Sequence, residues 1–263
     1  MQRQTQRRTL LILNADTDRA EYSGDNLANI LHGVFFEHEG FRREYTLVTA
    51  NAHMHQLPDT DEHFDGVVIT GSGTNVLPGA PDSASWVGEL LDYAHHVTDA
   101  GIPVLGVCFG AQLLSSAHGG VVEPIGVYED GTTRYEFGFP EIHLTPEGIK
   151  HSLFGGFNKD FRANESHRNR VMHLPDGGVL LAENDVGIQA FSIGESVLGV
   201  QFHAEIYSSA SLRSLRRRLS TANGEYRQSI ENAIARIPEE YALGEDNSAL
   251  RVYTNFIEQY LMR

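Results

Sequence analysis

Two rhythms of apolar and polar positions run along this chain. Up to Glu205, short β-branched apolar runs alternate with longer stretches of helical spacing, the pattern of a parallel sheet covered by helices. The runs predict strands at Thr9–Asn14, Arg43–Val48, Gly66–Thr70, Pro103–Val107, Gly138–Leu144, Val179–Glu183, Gly187–Ser192 and Ser196–Phe202. Helices are expected at Asp25–Glu37, Ser83–Asp99 and Phe109–His118, with Asp25 and Ser83 as N-caps and Gly119–Gly120 as a stop. Trp86 and Tyr93, seven residues apart on one helix face, read as packing residues. Asp16 and Asp18 read as turn residues after the first strand. Beyond Glu205 the rhythm changes. Ser208–Thr221, Glu225–Ile237 and Ser248–Met262 are polar, rich in Arg and Glu and helical in period, separated by Asn223–Gly224 and Leu243–Asn247. The expected organisation is therefore an α/β domain over 1–206 and a helical extension over 207–263.

Composition narrows the functional classes. The 263 residues carry 35 acids against 20 bases, a net charge of −15, which argues against a nucleic-acid-binding surface. No run approaches 18 apolar residues, so no membrane partner is expected, and the polar start lacks a signal-peptide core. A cytoplasmic location is the default expectation. The single cysteine, Cys108, leaves neither a disulfide nor a cysteine metal cage. The histidine pairs His53/His55 and His95/His96 and the His38–Glu39 neighbours fit no metal-binding frame, so no metal is expected. The arginines at 213, 216, 217 and 218 read as a solvated helix face, with a docking surface as the alternative.

Three segments carry chemistry. In Pro103-Val-Leu-Gly-Val-Cys-Phe-Gly-Ala-Gln112 a buried strand meets Gly-x-Cys-x-Gly and then a helix, the cysteine counterpart of a nucleophile elbow. Cys108 would stand above the helix N-terminus, where the dipole favours a thiolate and the Phe109 N–H can face an oxyanion. Val197-Leu-Gly-Val-Gln-Phe-His203-Ala-Glu205 is a strand ending in a histidine and a carboxylate. Residues two apart in an extended chain point the same way, so Glu205 could polarise His203, which could deprotonate Cys108 and later protonate a leaving amine. Phe64-Asp-Gly-Val-Val-Ile-Thr70-Gly71-Ser72-Gly73-Thr74-Asn75 is a strand ending in a glycine-rich turn whose N–H groups can complete an oxyanion hole. It lacks the third glycine of a dinucleotide fingerprint and the Gly-Lys-Ser/Thr of a P-loop.

In this order and spacing, the three segments resemble the class I (triad-type) glutamine amidotransferases, above all the GMP synthase glutaminase domain and its stand-alone relatives. The resemblance spans roughly residues 9–206. It implies a flavodoxin-like α/β fold, a mostly parallel sheet flanked by helices, and a triad of Cys108, His203 and Glu205. It also implies an oxyanion hole from backbone N–H groups of Gly71, Ser72 and Phe109, with Gln112 helping to hold the substrate glutamine. Glu165-Ser166-His167-Arg168-Asn169-Arg170-Val171 resembles the family's Ser-His-x-Asp-x-Val loop, which makes Ser166 and His167 candidates for contacting glutamine. Three departures stand out: Ala204 replaces a proline, Ser72 a glycine, and Asn169 an acid.

The reaction implied is hydrolysis of the glutamine side-chain amide through a cysteine thioester, without cofactor. No ATP-pyrophosphatase loop is present in these residues, so ammonia would pass to a separate synthase, GMP synthase-like by family analogy. The rival reading is a stand-alone amidase or γ-glutamyl hydrolase. A non-catalytic scaffold would have no need of all three triad residues.

Overall fold

A computed structural model describes residues 7–16, 32, 33, 35, 38–80, 82–237 and 248–262. Asp18, the Asp25 cap and the Leu243–Asn247 spacer lie outside these residues. Of the expected helix Asp25–Glu37 only His32, Gly33 and Phe35 are described, all three helical.

The strands are β1 (Arg8–Asn14), β2 (Tyr45–Asn51), β3 (Gly66–Ile69), β4 (Val104–Val107), β5 (Val121–Pro124), β6 (Glu136–Gly138), β7 (Glu141–Leu144), β8 (Asp160–Arg162), β9 (Glu165–His167), β10 (Asn169–His173), β11 (Gly178–Asn184), β12 (Gly187–Ile193) and β13 (Val197–Val200). Nine of them form one sheet in the order β2-β1-β3-β4-β13-β12-β11-β7-β8. From β2 to β13 every pairing is parallel, and from β13 to β8 every pairing is antiparallel. The α/β class with a helix-flanked parallel sheet is thus present, extended by an antiparallel half. Two short antiparallel pairs, β5–β10 and β6–β9, stand beside it.

Strand periodicity divides the core. Leu10 and Ile12 of β1 belong to one apolar cluster, whereas Leu11 and Leu13 belong to the other; all four are fully buried. One face is covered by α2 (Trp86–Asp99) and α3 (Phe109–Ala117), through residues such as Trp86, Leu90, Leu113 and Leu114; α1 (Glu39–Glu44) precedes β2. The other face is covered by Phe35, Phe41 and the last helix, α7 (Arg251–Phe256), which runs into a π-turn at Ile257–Leu261. Between them in sequence lie α4 (Pro146–Lys150), α5 (Ser208–Leu219) and α6 (Gly224–Arg236). Helices α5 and α6 build a small third cluster from Leu215, Ile230 and Ala233, with Phe137 and Phe139 packed against it. The segments after residue 206 therefore differ: α7 packs into the sheet's own core, while α5 and α6 cap the β6 region.

Several expected boundaries move for identifiable reasons. The single strand expected at Gly138–Leu144 is two strands in different sheets, β6 and β7, parted at Pro140, which lacks an N–H for a ladder. Ser83 caps nothing; its N–H closes a turn on Ala80 O at 3.0 Å, Asp82 has φ +60°, and α2 begins at Trp86 after Ser85. The strand expected to run to Phe202 ends at Val200.

Backbone proximity, more than side-chain packing, sets the β4–α3 junction. A Cβ on Gly106 would lie 2.5 Å from the Gly110 carbonyl, and one on Gly110 would lie 2.3 Å from Ile69 O. Neither position can hold a larger residue without moving backbone. Gly73, by contrast, faces open space. We expect Gly110→Ala to lower the unfolding free energy by about 1–3 kcal/mol, the scale of overpacking. Gly73→Ala should stay within about 0.5 kcal/mol. Urea unfolding of the two variants checks the contrast, and a neutral Gly110→Ala would contradict the close contact.

Candidate active site

Cys108 sits on the turn between β4 and α3 with φ +52° and ψ −104°. A non-glycine residue in that region is held there only by its surroundings. Its N–H donates to Val200 O at 2.8 Å, tying the turn to β13, and its carbonyl accepts Gln112 N–H at 3.0 Å in the first turn of α3. Since β4 lies between β3 and β13, the turns that follow these neighbours converge on it.

From β13 comes His203, 3% exposed, whose backbone N–H donates to Asn164 O at 2.8 Å. Its Nδ1 is 2.7 Å from Glu205 Oε1, and its other side meets Cys108 through a side-chain hydrogen bond. The His203–Glu205 contact forms across a turn closed by Ile206 N–H on His203 O (3.2 Å), not along an extended strand. The second Glu205 oxygen accepts the hydroxyl of Tyr253 at 2.5 Å. Tyr253 belongs to α7 and is fully buried.

The electrostatics follow from burial and pairing. Burial alone would push the Cys108 thiol up, but the adjacent His203, its hydrogen bond and His167 outweigh it, so the thiol lies below its ordinary value. Burial likewise opposes the His203 cation, yet Cys108 and Glu205 raise the imidazole to about 10. Glu205 is held down against burial by His203 and Tyr253. The three groups form a buried array of thiol, imidazole and carboxylate whose shifts all favour the charged forms.

A second buried cluster stands next to it. His167 Nδ1 faces Asn169 O at 2.8 Å; a carbonyl only accepts, so Nδ1 carries a proton. Its Nε2 lies 2.8 Å from Glu136 Oε2 and 3.1 Å from Glu165 Oε2. Burial would lower His167, but these two carboxylates hold it well above its ordinary value. Glu165 itself is raised to about 7, chiefly by burial. Ligand atoms of Glu136, Glu165 and His167 all lie within 4.8 Å of one another, a spacing that could chelate a cation, with the imidazole placed between the two acids. His167, in a polar and Arg-rich segment of the sequence, is as buried as His203, and both ring nitrogens are engaged within the protein.

A cavity of about 260 Å³ opens beside Cys108, lined by Gly71, Ser72, Gln112, Ser166, His167 and His203, together with Asp16, Tyr135, Arg168 and Arg218. It suits a small polar molecule, being below the range of roughly 300–1,000 Å³ typical of drug-sized ligand sites. Gln112 donates both Nε2 protons, to Asn169 O at 2.9 Å and Gln201 Oε1 at 3.0 Å, so its carbonyl is the group left for the cavity. The Gly71–Thr74 turn holds its shape without a glycine at 72: Ser72 Oγ accepts Thr74 N–H at 3.1 Å, and Ser72 is not among the positive-φ residues. Arg168 clamps the same turn, donating to Gly73 O at 3.3 Å while paired with Asp82 at 3.0 Å.

The family model "Glutamine amidotransferase class-I" matches residues 25–219, well over half of the chain. The chain belongs to the class I glutamine amidotransferase family. Among curated relatives, a "GMP synthase [glutamine-hydrolyzing]" of Bacteroides fragilis is 31% identical over 156 residues, 59% of this chain and 27% of that enzyme. A "Gamma-glutamyl-L-1-hydroxyisopropylamide hydrolase" of Pseudomonas sp is 33% identical over 147 residues, 54% of this chain and 48% of that one. The chain thus spans about a quarter to a half of these relatives. In fold it is similar to a glutamine amidotransferase of Thermotoga maritima (TM-score 0.68, 17% identity, 98% of this chain and 99% of that chain). It is also similar to one from Methylobacillus flagellatus (TM-score 0.61, 18% identity, 97% and 95%). This likeness in fold reaches past residue 206 into the helices that the sequence reading placed outside the resemblance. Among the described residues of this amidotransferase, no helix is long and apolar enough to cross a membrane.

Sequence reasoning missed Glu136, Arg218 and Tyr253 as neighbours of the site. Glu136 and Tyr253 meet their partners 31 and 48 residues away, and no local motif marks either.

Two outcomes test the electrostatic array. The rate of Cys108 alkylation by iodoacetamide should titrate with a midpoint below the ordinary thiol value of 9.0. In His203→Gln, burial acts without its main opponent, so the midpoint should move above that value; an unmoved midpoint would show that His203 does not lower the thiol. Tyr253→Phe keeps the ring but strands a buried Glu205 oxygen, and should cost about 1–3 kcal/mol in urea unfolding. Unchanged stability would show that the hydroxyl does not hold Glu205.

Proposed function

We propose that this amidotransferase hydrolyses the side-chain amide of glutamine and passes the ammonia to a separate synthase. The observation that carries the reading is the placement of Cys108 on its positive-φ turn, hydrogen-bonded to a histidine that Glu205 and Tyr253 hold in place.

In this reading the Cys108 thiolate attacks the amide carbon, and the carbonyl electrons move to oxygen. N–H groups of Phe109 and of the Gly71–Ser72 turn face that oxyanion; one such donor is worth about 3–4 kcal/mol, or 10²- to 10³-fold in rate. The His203 imidazolium gives its proton to the departing nitrogen as the carbon–nitrogen bond breaks, leaving a γ-glutamyl thioester and a neutral imidazole. Water then adds to the thioester with its proton passing to His203, and collapse of the adduct restores the thiolate and releases glutamate. Gln112 and Ser166 are the side chains we assign to the amino-acid end of the substrate. His167 we assign to the wall of the site, next to them.

The GMP synthases support the synthase partner, since the segment this chain matches is a part of each of those enzymes. Arg213, Arg216 and Arg217 on α5 are exposed and form the docking face we would test. A second reading has its own support in the 33% identity to a γ-glutamyl amide hydrolase. It keeps the same thioester chemistry and changes only the leaving amine.

Steady-state assays separate these readings. Cys108→Ala should abolish glutamine hydrolysis, and His203→Ala should lower turnover by about 10²-fold or more, the scale of lost general acid–base catalysis. A synthase that co-purifies with the chain should raise turnover, and Arg216→Glu with Arg217→Glu should weaken that activation while sparing basal rate. Turnover on γ-glutamyl alkylamides that exceeds glutamine turnover, with no response to any synthase, would favour the hydrolase.

A further inference from the structure

Arg218, in the last turn of α5, lines the cavity beside Cys108, although the sequence grouped it with a surface cluster. Its guanidinium carbon lies 5.5 Å from the centroid of the Phe137 ring and 5.8 Å from that of Tyr135. Those two rings are themselves stacked, 5.0 Å apart and 5° from parallel. The platform removes water from one side of the cation and compensates part of the loss through the π faces. The compensation is incomplete, because Arg218 Nε is buried without a hydrogen-bond partner. Among the described residues no carboxylate forms an ion pair with Arg218, although acids outnumber bases 35 to 20 in this chain. The other arginine of the cavity, Arg168, is neutralised by Asp82. A planar, half-buried guanidinium without a counter-anion, opening on a small polar cavity, is built to receive a carboxylate in bidentate fashion.

We propose that Arg218 forms the subsite for the α-carboxylate of the glutamyl half of the substrate. The inference rests on reading the cavity as the amide-hydrolysis site. Glutamine has no other anionic group, and a γ-glutamyl amide carries the same one, so the assignment serves either leaving amine. It also places the amino-acid end of the substrate on both sides of the chain's division: Gln112 from α3 offers a carbonyl to the ammonium, and α5 offers the cation. Substrate recognition then depends on a helix beyond the strand that supplies His203.

The test compares L-glutamine with L-glutaminamide, in which the α-carboxylate is replaced by a neutral amide. Arg218→Met keeps the bulk over the rings and should raise KM for glutamine by about tenfold to a hundredfold, with little change in kcat. The same substitution should leave glutaminamide kinetics unchanged, and Arg218→Lys should recover part of the glutamine affinity. An equal loss on both substrates would reduce Arg218 to a structural residue and overturn the proposal. So would a loss confined to γ-glutamylglycine and absent with γ-glutamylmethylamide, since that result would place the anion on the leaving side. Equilibrium binding of L-glutamine to the Cys108→Ala protein, with and without Arg218→Met, reads the subsite independently of turnover. Failure of the hydrolytic reading appears as absence of Cys108-dependent turnover; failure of this inference appears as glutamine affinity that does not respond to Arg218, or as no binding at all.

Discussion

Everything near the Cys108 thiol depends on how closely α3 approaches β3 and β4. The first turn of the helix touches the strand backbones at Gly106 and Gly110, closer than any Cβ would permit. That approach forces the chain to reverse within one residue, and Cys108 takes the positive φ that the reversal demands. A larger residue at either glycine would push the helix outward, and with it the Phe109 N–H, Gln112 and the thiol. The strain at one residue is sustained by parallel strands whose side chains are almost wholly buried on both faces.

Around this hinge the protein gathers charge that it elsewhere keeps at the surface. Two histidines are buried within reach of the same sulfur, and each is matched to carboxylates: His203 to Glu205, His167 to Glu136 and Glu165. The pairing is what makes burial tolerable, since an unmatched ion in such a setting would shift its protonation. The two clusters differ in what remains available. His203 has one nitrogen on Glu205 and the other toward Cys108, whereas His167 has both nitrogens occupied by the protein's own acceptors. The geometry separates a histidine with one ring nitrogen turned toward the sulfur from one whose two nitrogens are both engaged by the protein.

The parallel half of the sheet was legible because strands buried on both faces read as continuous apolar runs, as at Leu10–Leu13 and Val67–Ile69. Strands β5, β8, β9 and β10 were not, since sequences such as Asn169-Arg-Val-Met-His alternate polar side chains whose burial depends on partners elsewhere in the chain. The elbow and the His203–Glu205 pair were legible for the opposite reason: each is a local motif in which the chemistry and the turn share a few residues. Ser72 shows a limit of motif matching, because its hydroxyl closes the turn that a glycine was expected to need. Tyr253 and Arg218 carried no signal. One sits in a helix that reads as amphipathic, the other in a run of arginines, and only packing separates Arg218 from its exposed neighbours.

The placement of α7 has a consequence for the order of assembly. Glu205 meets its tyrosine 48 residues later, and Leu261 O accepts from Arg8, 253 residues away, and from Tyr45. Contacts of such separation close late, because the loop entropy must be spent before they return any energy. On an emerging chain, the strand carrying Cys108 and the turn carrying His203 are complete while residues 251–261 are still to come. Until that segment docks, one face of the sheet lacks part of its cover and Glu205 lacks its second donor. The cluster of Cys108, His203 and Glu205 is therefore completed last, and a truncated or half-folded copy of this protein carries the buried thiol without the full set of groups that surround it.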